Sequence, residues 1–431
     1  MSINTIRKVD AIRAMIAAAF FASNSWYVFH ILCTSWVFLM LLFYQYKGRG
    51  PSRDIYPKLM IMVMITIIVL SFLNVWSGFS LGSNKVLTNE SFIGSIRLNI
   101  LSIMTLISIF GSFFLISRSS LSDVEIVKIL RFIVICGTIS AFVTLIFWAM
   151  KTGGEWSRYN YLPPITKSQG VQFYYLAISF LSGITLISNV RSYQRIHALY
   201  LYLSCGIVFL CMTTILVRET WVILSISLIF AFLKIVQMGR FTKYLSLTIF
   251  IVFLLSFAMA MNKIVDLTSD ISMSDGIDNA ESVLIRVQMI TKGFAVFLDN
   301  PFLGIGYGNF SNVVSHEVVL QSGGIVEVSS PHNGVVLMLA EIGILGFLAL
   351  NLMAIGLFKS MRAKVISTEG NIRKSLYQVF GWFFILLYLD QLVANSIFLP
   401  IPGESSSVQL SWLLWLIIAL ILSPSKPFKC A

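Results

Sequence analysis

The chain has 431 residues, of which 57% are hydrophobic and only 12% are charged, with a formal net charge of +12 and a mean hydropathy of +0.85. A soluble domain carries about 25% charged residues, so this composition excludes a water-soluble enzyme and implies a polytopic membrane protein built from apolar spans of roughly 20 residues each. The five cysteines (Cys33, Cys136, Cys205, Cys211 and Cys430) lie in apolar spans or at the tail with no metal-ligand spacing. They read as free thiols packed as small apolar groups, not as a disulfide framework.

Met1 to Asp10 runs into a hydrophobic stretch without a small-residue cleavage site, which argues against a cleavable signal peptide. About twelve transmembrane helices follow, over 9–25, 27–46, 58–79, 94–117, 129–150, 171–190, 199–217, 221–236, 245–261, 333–358, 378–400 and 408–424. The expected fold class is therefore an all-α polytopic membrane protein, with 1–431 forming a single membrane domain. With the N-terminus in the cytoplasm, the inside segments hold 22 of the 31 Lys and Arg residues and the outside segments hold 9. Acids distribute oppositely, 5 inside and 12 outside, with Glu341 and Asp390 within spans. This bias sets both termini in the cytoplasm. The positive charge marks topology, and no nucleic-acid partner is expected.

Two outside loops exceed simple connectors. The first is 151–170, "KTGGEWSRYNYLPPITKSQG". The second is 262–332, a large loop between the ninth and tenth spans with acids at Asp266, Asp270, Asp275, Asp278 and Glu281. Within it, 281–298 carries Val283, Ile285, Val287, Ile290, Phe294 and Phe297 at helical spacing, which predicts an amphipathic helix. Asp299-Asn300-Pro301 then stops it. The "GIGYGN" run at 304–309 lacks the strand–helix setting of a dinucleotide site and reads as a turn.

His332 stands at the outside mouth of the tenth span, in "SSPHNGVV". Pro331 biases Ser330 away from helix, so a helix should begin nearby and its N-terminal field favours anions and a neutral imidazole. A neutral imidazole can serve as a general base; the competing reading is an interfacial cap. Arg218, beside Glu219 between two apolar runs, either snorkels and pairs locally or faces an anionic headgroup. Arg286, in the amphipathic helix, is either a surface ion pair or a phosphate ligand; arginine can grip phosphate bidentately. Arg158 and Lys167 add positive charge outside. No metal signature occurs, and no cofactor is expected. Asp390, read near the middle of the eleventh span, and Glu341, nine residues into the tenth and on the face opposite His332, are either interior polar contacts or members of a proton relay. His30 and His197 read as structural, and His316 as solvated or lining a site.

Three stretches, "LVRETW", "RVQMITKGFAVFLDNPFLGIGYGNF" and "PHNGVVLMLAEIGILGFL", resemble the bacterial O-antigen ligase and O-antigen polymerase superfamily. The resemblance is clear over 218–350 and extends to the rest only as topology. Such proteins are similar to membrane glycosyltransferases of the C-type (GT-C-like) fold. The resemblance implies a multi-pass enzyme of the bacterial inner membrane with a periplasmic active face. It would transfer a glycan from undecaprenyl diphosphate to an acceptor glycan lipid, inverting and metal-independent, with a chain-length regulator as a candidate partner. It also implies that Arg218 and Arg286 hold the diphosphate and His332 activates or orients the acceptor, with Arg158 and Asn333 as further substrate contacts. Relatives often carry Asn-Pro-Asn after the arginine in the first loop, whereas "SRYNYLPPITKSQG" keeps Arg158 without it.

The donor machinery would look alike in a polymerase, which extends a lipid-linked repeat unit, and in a ligase, which transfers to lipid A core. The weak match of the N-terminal half, the Ile/Leu/Ser/Asn bias and the compact size lean toward the polymerase. A lipid-linked oligosaccharide flippase would need cations among the spans, where this chain places only acids. A purely structural membrane scaffold is the remaining alternative.

Overall fold

A computed structural model describes residues 3–21, 104–153, 163, 169–189, 195–215, 223–229, 273–310, 317–319, 325–327, 333–367, 371–390 and 405–424. They form helices α1 (Ile3–Phe21), α2 (Ser112–Arg118, preceded by a π-helical turn at Ile107–Gly111), α3 (Asp123–Thr152), α4 (Gln169–Ser188) and α5 (Arg195–Thr213). Further on come α6 (Met273–Asp299), α7 (Gly334–Ser367), α8 (Asn371–Asp390) and α9 (Ser405–Leu422). Helices lie within the first, fourth to seventh and tenth to twelfth expected spans, the fourth described only from 104 and the eleventh only to 390. The second, third and ninth lie outside the described residues, and the eighth is described only over 223–229. Among the described residues, three helices are long and apolar enough to cross a membrane: Asp123–Thr152, Gly170–Ser188 and Gly334–Lys364. The large loop adds a feature that periodicity did not signal, an antiparallel pair of β1 (Glu317–Val319) and β2 (Ile325–Glu327) with Val318 opposite Val326.

Helix limits follow local chemistry. α3 starts six residues before the apolar run because Ser122 and Glu125 form a capping box: the Glu125 N–H donates to Ser122 Oγ at 3.3 Å, and the Ser122 N–H to Glu125 Oε2 at 2.7 Å. Such reciprocal caps satisfy two of the otherwise open amides of a first turn. α8 starts at Asn371 rather than 378, and Asp390, the last described residue of this helix, accepts from Tyr174 Oη at 3.2 Å.

α9 is the axis of the bundle. Every residue from Gln409 to Ile421 is buried, as expected for a helix apolar on all sides, and it touches α1, α2, α4, α7 and α8. Trp415 meets Phe110 and Phe113 edge-on at 5.1 and 5.3 Å. The outward faces of α3 (Ile139, Phe142, Ile146) and α5 (Leu199, Leu203, Leu210) are exposed and apolar, which water would penalise and lipid accepts. Polar side chains inside the bundle are cross-linked: Gln172 Nε2 donates to Ser140 Oγ at 2.9 Å and to Thr144 Oγ1 at 3.2 Å, and Tyr175 Oη donates to Gln409 Oε1 at 3.3 Å. Such contacts replace water for groups that hydrocarbon cannot solvate.

Arg373, fully buried, ties three segments together at the end of the bundle where α8 begins. Its Nη1 donates to Asp123 Oδ1 at 2.5 Å, its Nη2 to the Leu121 carbonyl at 2.6 Å and its Nε to the Ser423 carbonyl at 3.1 Å. Burial pulls the guanidinium below its ordinary range, opposed by Asp123. Arg373→Ala leaves two buried carbonyls without their donor, so we expect a loss of about 3 kcal/mol, read as a lower temperature of aggregation of the detergent-solubilised protein. Arg373→Lys, which keeps the charge but not the fork, should fall between wild type and Arg373→Ala.

Candidate functional site

The amphipathic helix of the large loop forms where expected and ends at Asp299, as the Asn300-Pro301 signal predicts; it is longer at its start, from Met273. Its packing face differs from the predicted apolar set. Met289 and Gly293 are buried against α7, with Ile285 and Val296 beside them, around Phe310, Leu337 and Ala340. Val287 and Phe294, counted as one face with Ile285, point outward. The segment has apolar residues on two opposite sides, and only the side carrying the small Gly293 lets α7 approach: a Cβ on Gly293 would lie 2.6 Å from Val336 Cγ1.

α6 and the start of α7 run in the same direction. Gly293 lies against Val336, and eight residues further on the Pro301 carbonyl accepts from the Ile344 N–H at 2.8 Å. Arg286, exposed on α6, is seven residues before Gly293, about 10 Å along the helix axis. Asn333 is three residues before Val336. Arg286 therefore lies about 6 Å beyond the level of Asn333, on the side from which the chain enters α7.

That entry is capped. Asn333 Oδ1 accepts from the Val336 N–H at 3.0 Å and its carbonyl from the Leu337 N–H at 3.0 Å, the geometry of an N-cap. His332 is thus the residue immediately before the cap, which fits the expectation that the helix begins here, and one oxygen of Asn333 is committed to the helix. His332, Arg218, Arg158, Lys167, His30 and His316 lie outside the described residues; His197 falls in α5.

The 300–310 turn locks into a break in α7. At Gly343 the backbone turns to φ 63°, ψ −176°, which removes the helical bonds from Ile344 to Ala340 and from Leu345 to Glu341. Four of the groups freed at the break are taken up by the turn. The Ile305 N–H donates to the Ala340 carbonyl at 2.9 Å and the Gly306 N–H to the Glu341 carbonyl at 2.7 Å, while the Pro301 and Phe302 carbonyls accept from the Ile344 and Leu345 N–H groups at 2.8 and 3.3 Å. The approach demands glycine on both sides: a Cβ on Gly304 would lie 2.4 Å from the Glu341 carbonyl carbon, and one on Gly343 2.3 Å from the Phe302 carbonyl oxygen, and both residues have positive φ.

Glu341, buried at 3% exposure, turns its carboxylate to the same turn, accepting from the Phe310 N–H at 3.1 Å and from the Gly308 backbone. It is an interior polar contact, as one of the two sequence readings held. Burial and this carboxylate push the Tyr307 phenol well above its ordinary range, so it stays neutral. No side-chain pattern could have revealed the pairing, because the partners of Glu341 are backbone amides. On both sides of the break, α7 encloses with α8 and α9 an apolar groove lined by Met338, Met353, Leu357, Phe358 and Trp415, with Tyr388, hydrogen-bonded to Asn351, on its wall. Among the described residues no group of three or more His, Cys, Asp or Glu could hold a metal.

Residues 201–350, about a third of the chain, match the family model described as O-antigen ligase, in agreement with the resemblance carried by 218–350. The match includes Arg218, Arg286, His332, Asn333 and the interlocked turn; Arg158 lies outside it. The family is one of O-antigen ligase and polymerase type, with a membrane setting and lipid-linked glycan substrates. Comparison with curated proteins gives no match.

The interlock makes a sharp contrast among glycines of the matched region. Gly343→Ala and Gly304→Ala each force a Cβ into backbone at positive φ and should each cost at least about 2 kcal/mol, seen as loss of folded protein in the membrane fraction. Gly206→Ala, on a helix with open space around it, should leave the yield at wild-type level.

Proposed function

We propose that this chain is a glycosyltransferase that takes a glycan from undecaprenyl diphosphate and adds it to a lipid-linked repeat unit, acting as an O-antigen polymerase at the periplasmic face of the inner membrane. The observation that carries the reading is the convergence, in the matched segment, of Arg286 with the capped start of α7, directly after His332. On this reading the acceptor hydroxyl attacks the anomeric carbon from the side opposite the diphosphate. The new glycosidic bond forms as the bond from that carbon to the diphosphate oxygen breaks, and undecaprenyl diphosphate leaves. His332 takes the hydroxyl proton, as a general base within hydrogen-bond reach would. Arg286 and Arg218 neutralise the charge that grows on the departing diphosphate, the kind of fixed electrostatic support that contributes most when it is positioned in advance. Arg158 and Asn333 are further substrate contacts, and a chain-length regulator is a candidate partner. The mechanism is inverting and needs no metal.

A second reading, transfer to lipid A core, is favoured by one observation: the matched family model is described as O-antigen ligase. The two readings share every donor contact and differ in the acceptor.

His332→Ala, expressed at wild-type level in the native host, separates them on a gel of the surface polysaccharide. Lipid A core carrying a single repeat unit establishes the polymerase, since the host's ligase still works. Loss of all attached glycan, with long chains kept on the lipid carrier, establishes the ligase. An unchanged ladder would remove His332 from the chemistry and leave it a helix-end residue.

Arg286 supplies a graded test. Arg286→Lys keeps the charge but loses the planar fork, so chain transfer in membranes supplied with lipid-linked repeat units should fall about tenfold, and with Arg286→Ala about a hundredfold. Equal activity in both variants would make Arg286 a bystander on the helix surface.

A further inference from the structure

The face of α6 turned away from α7 carries large apolar side chains that are exposed. Val287, Phe294 and Leu298 are 53%, 46% and 62% exposed. Seven- and four-residue steps place them along one side of the helix, about 140° from the packed side of Met289 and Gly293. The stripe does not stop with the helix. Phe302, three residues beyond Asp299, is 66% exposed, and its carbonyl is bonded to the Leu345 N–H. Leu345 opens a second exposed apolar row, Leu345, Leu348, Leu352 and Ile355, on one face of α7, and α7 is long and apolar enough to cross a membrane. Charge follows the same division. Residues 282–298, which carry the stripe, contain Arg286 and Lys292 and no acid, while Asp275, Asp278 and Glu281 all precede it.

We propose that the Val287–Phe294–Leu298 stripe of α6 is seated in the lipid bilayer, so that the helix lies in the membrane plane as a continuation of the lipid-facing surface of α7. The occupant is the acyl-chain border of the leaflet at that end of the bundle. Continuity with the Leu345–Ile355 row supports this, as does the presence of cations without acids within 282–298, Asp299 standing at the helix end. Amphipathic helices with an apolar face and flanking cations take this position. Arg286, about 100° around the helix from Val287, then stands at headgroup depth, where the diphosphate of a membrane-bound lipid would be found. The placement of the stripe does not depend on glycosyl transfer.

The test uses the full chain in vesicles of phosphatidylethanolamine and phosphatidylglycerol, with Cys33 and Cys430 replaced by serine. Single cysteines at Phe294, Leu298, Asp299 and Leu352 carry a bimane label. Leu352 calibrates lipid contact and Asp299, on the exposed flank of the same helix, calibrates water. A spin label near the top of the lipid acyl chain should quench Phe294→Cys and Leu298→Cys about as strongly as Leu352→Cys and several-fold more than Asp299→Cys, while aqueous iodide quenches Asp299→Cys alone of these sites. Iodide quenching of the stripe sites at the level of Asp299→Cys would place the stripe in water and overturn the proposal. Protection of both sites from both quenchers would show a protein cover and overturn it equally. Labelling at four positions keeps the result readable if one variant fails to fold.

Discussion

The site rests on an exchange of backbone hydrogen bonds. A helix in hydrocarbon cannot leave carbonyl and amide groups open, because no water is present to satisfy them. α7 nevertheless breaks at Gly343, where the 301–306 strip supplies two amides and two carbonyls in register with four of the groups the break releases. The strip holds its place because α6 ends at Asp299 and delivers Pro301 and Phe302 to the gap. The order of the loop helix, the turn and the entry to α7 thus forms one mechanical unit, and Glu341 closes it from the side by accepting the next amides along, at Gly308 and Phe310.

This unit explains how a surface loop can position a cation against a helix start. Arg286 is on a long helix whose far end is anchored by the interlock and whose middle is pressed onto α7 at Gly293. The cap at Asn333 fixes the start of α7 on the other side. Rigid elements on both sides keep a charge within reach of a developing negative charge better than a free loop would. At the opposite end of the bundle, Arg373 performs a comparable service for the scaffold, joining the starts of α3 and α8 to the end of α9.

Much of this was legible in the residues. Apolar runs located most described helices, and the Asn-Pro pair marked the end of α6. The Pro-His-Asn-Gly turn marked the start of α7, since Asn is a strong capping residue. Helix starts were read late wherever a polar first turn preceded the apolar run, as with Ser122-Asp123-Val124-Glu125 and Asn371-Ile372-Arg373. The packing face of α6 was misjudged because large apolar residues occupy both of its sides, and the deciding residue is Gly293, which has no side chain to count. The turn at 304–309 was recognised as a turn, but its docking partner was not. Recognition there is between main chains, and the trace it leaves is a glycine on each side, Gly304 and Gly343, 39 residues apart in number and adjacent in space.

The break also divides the length of α7. An unbroken helix of the 34 residues from Gly334 to Ser367 would extend about 51 Å, well beyond the roughly 30 Å of hydrocarbon that a bilayer offers. Interrupted at Gly343, it leaves an apolar run of 15 residues, 344–358, about 22 Å long, ahead of Lys359, Arg362 and Lys364, and this run takes its own tilt in the membrane. The nine residues before the break no longer have to share that tilt. The inclination of the span and the orientation of its first turns become separate variables, and membranes of different thickness can be met by leaning the one without turning the other.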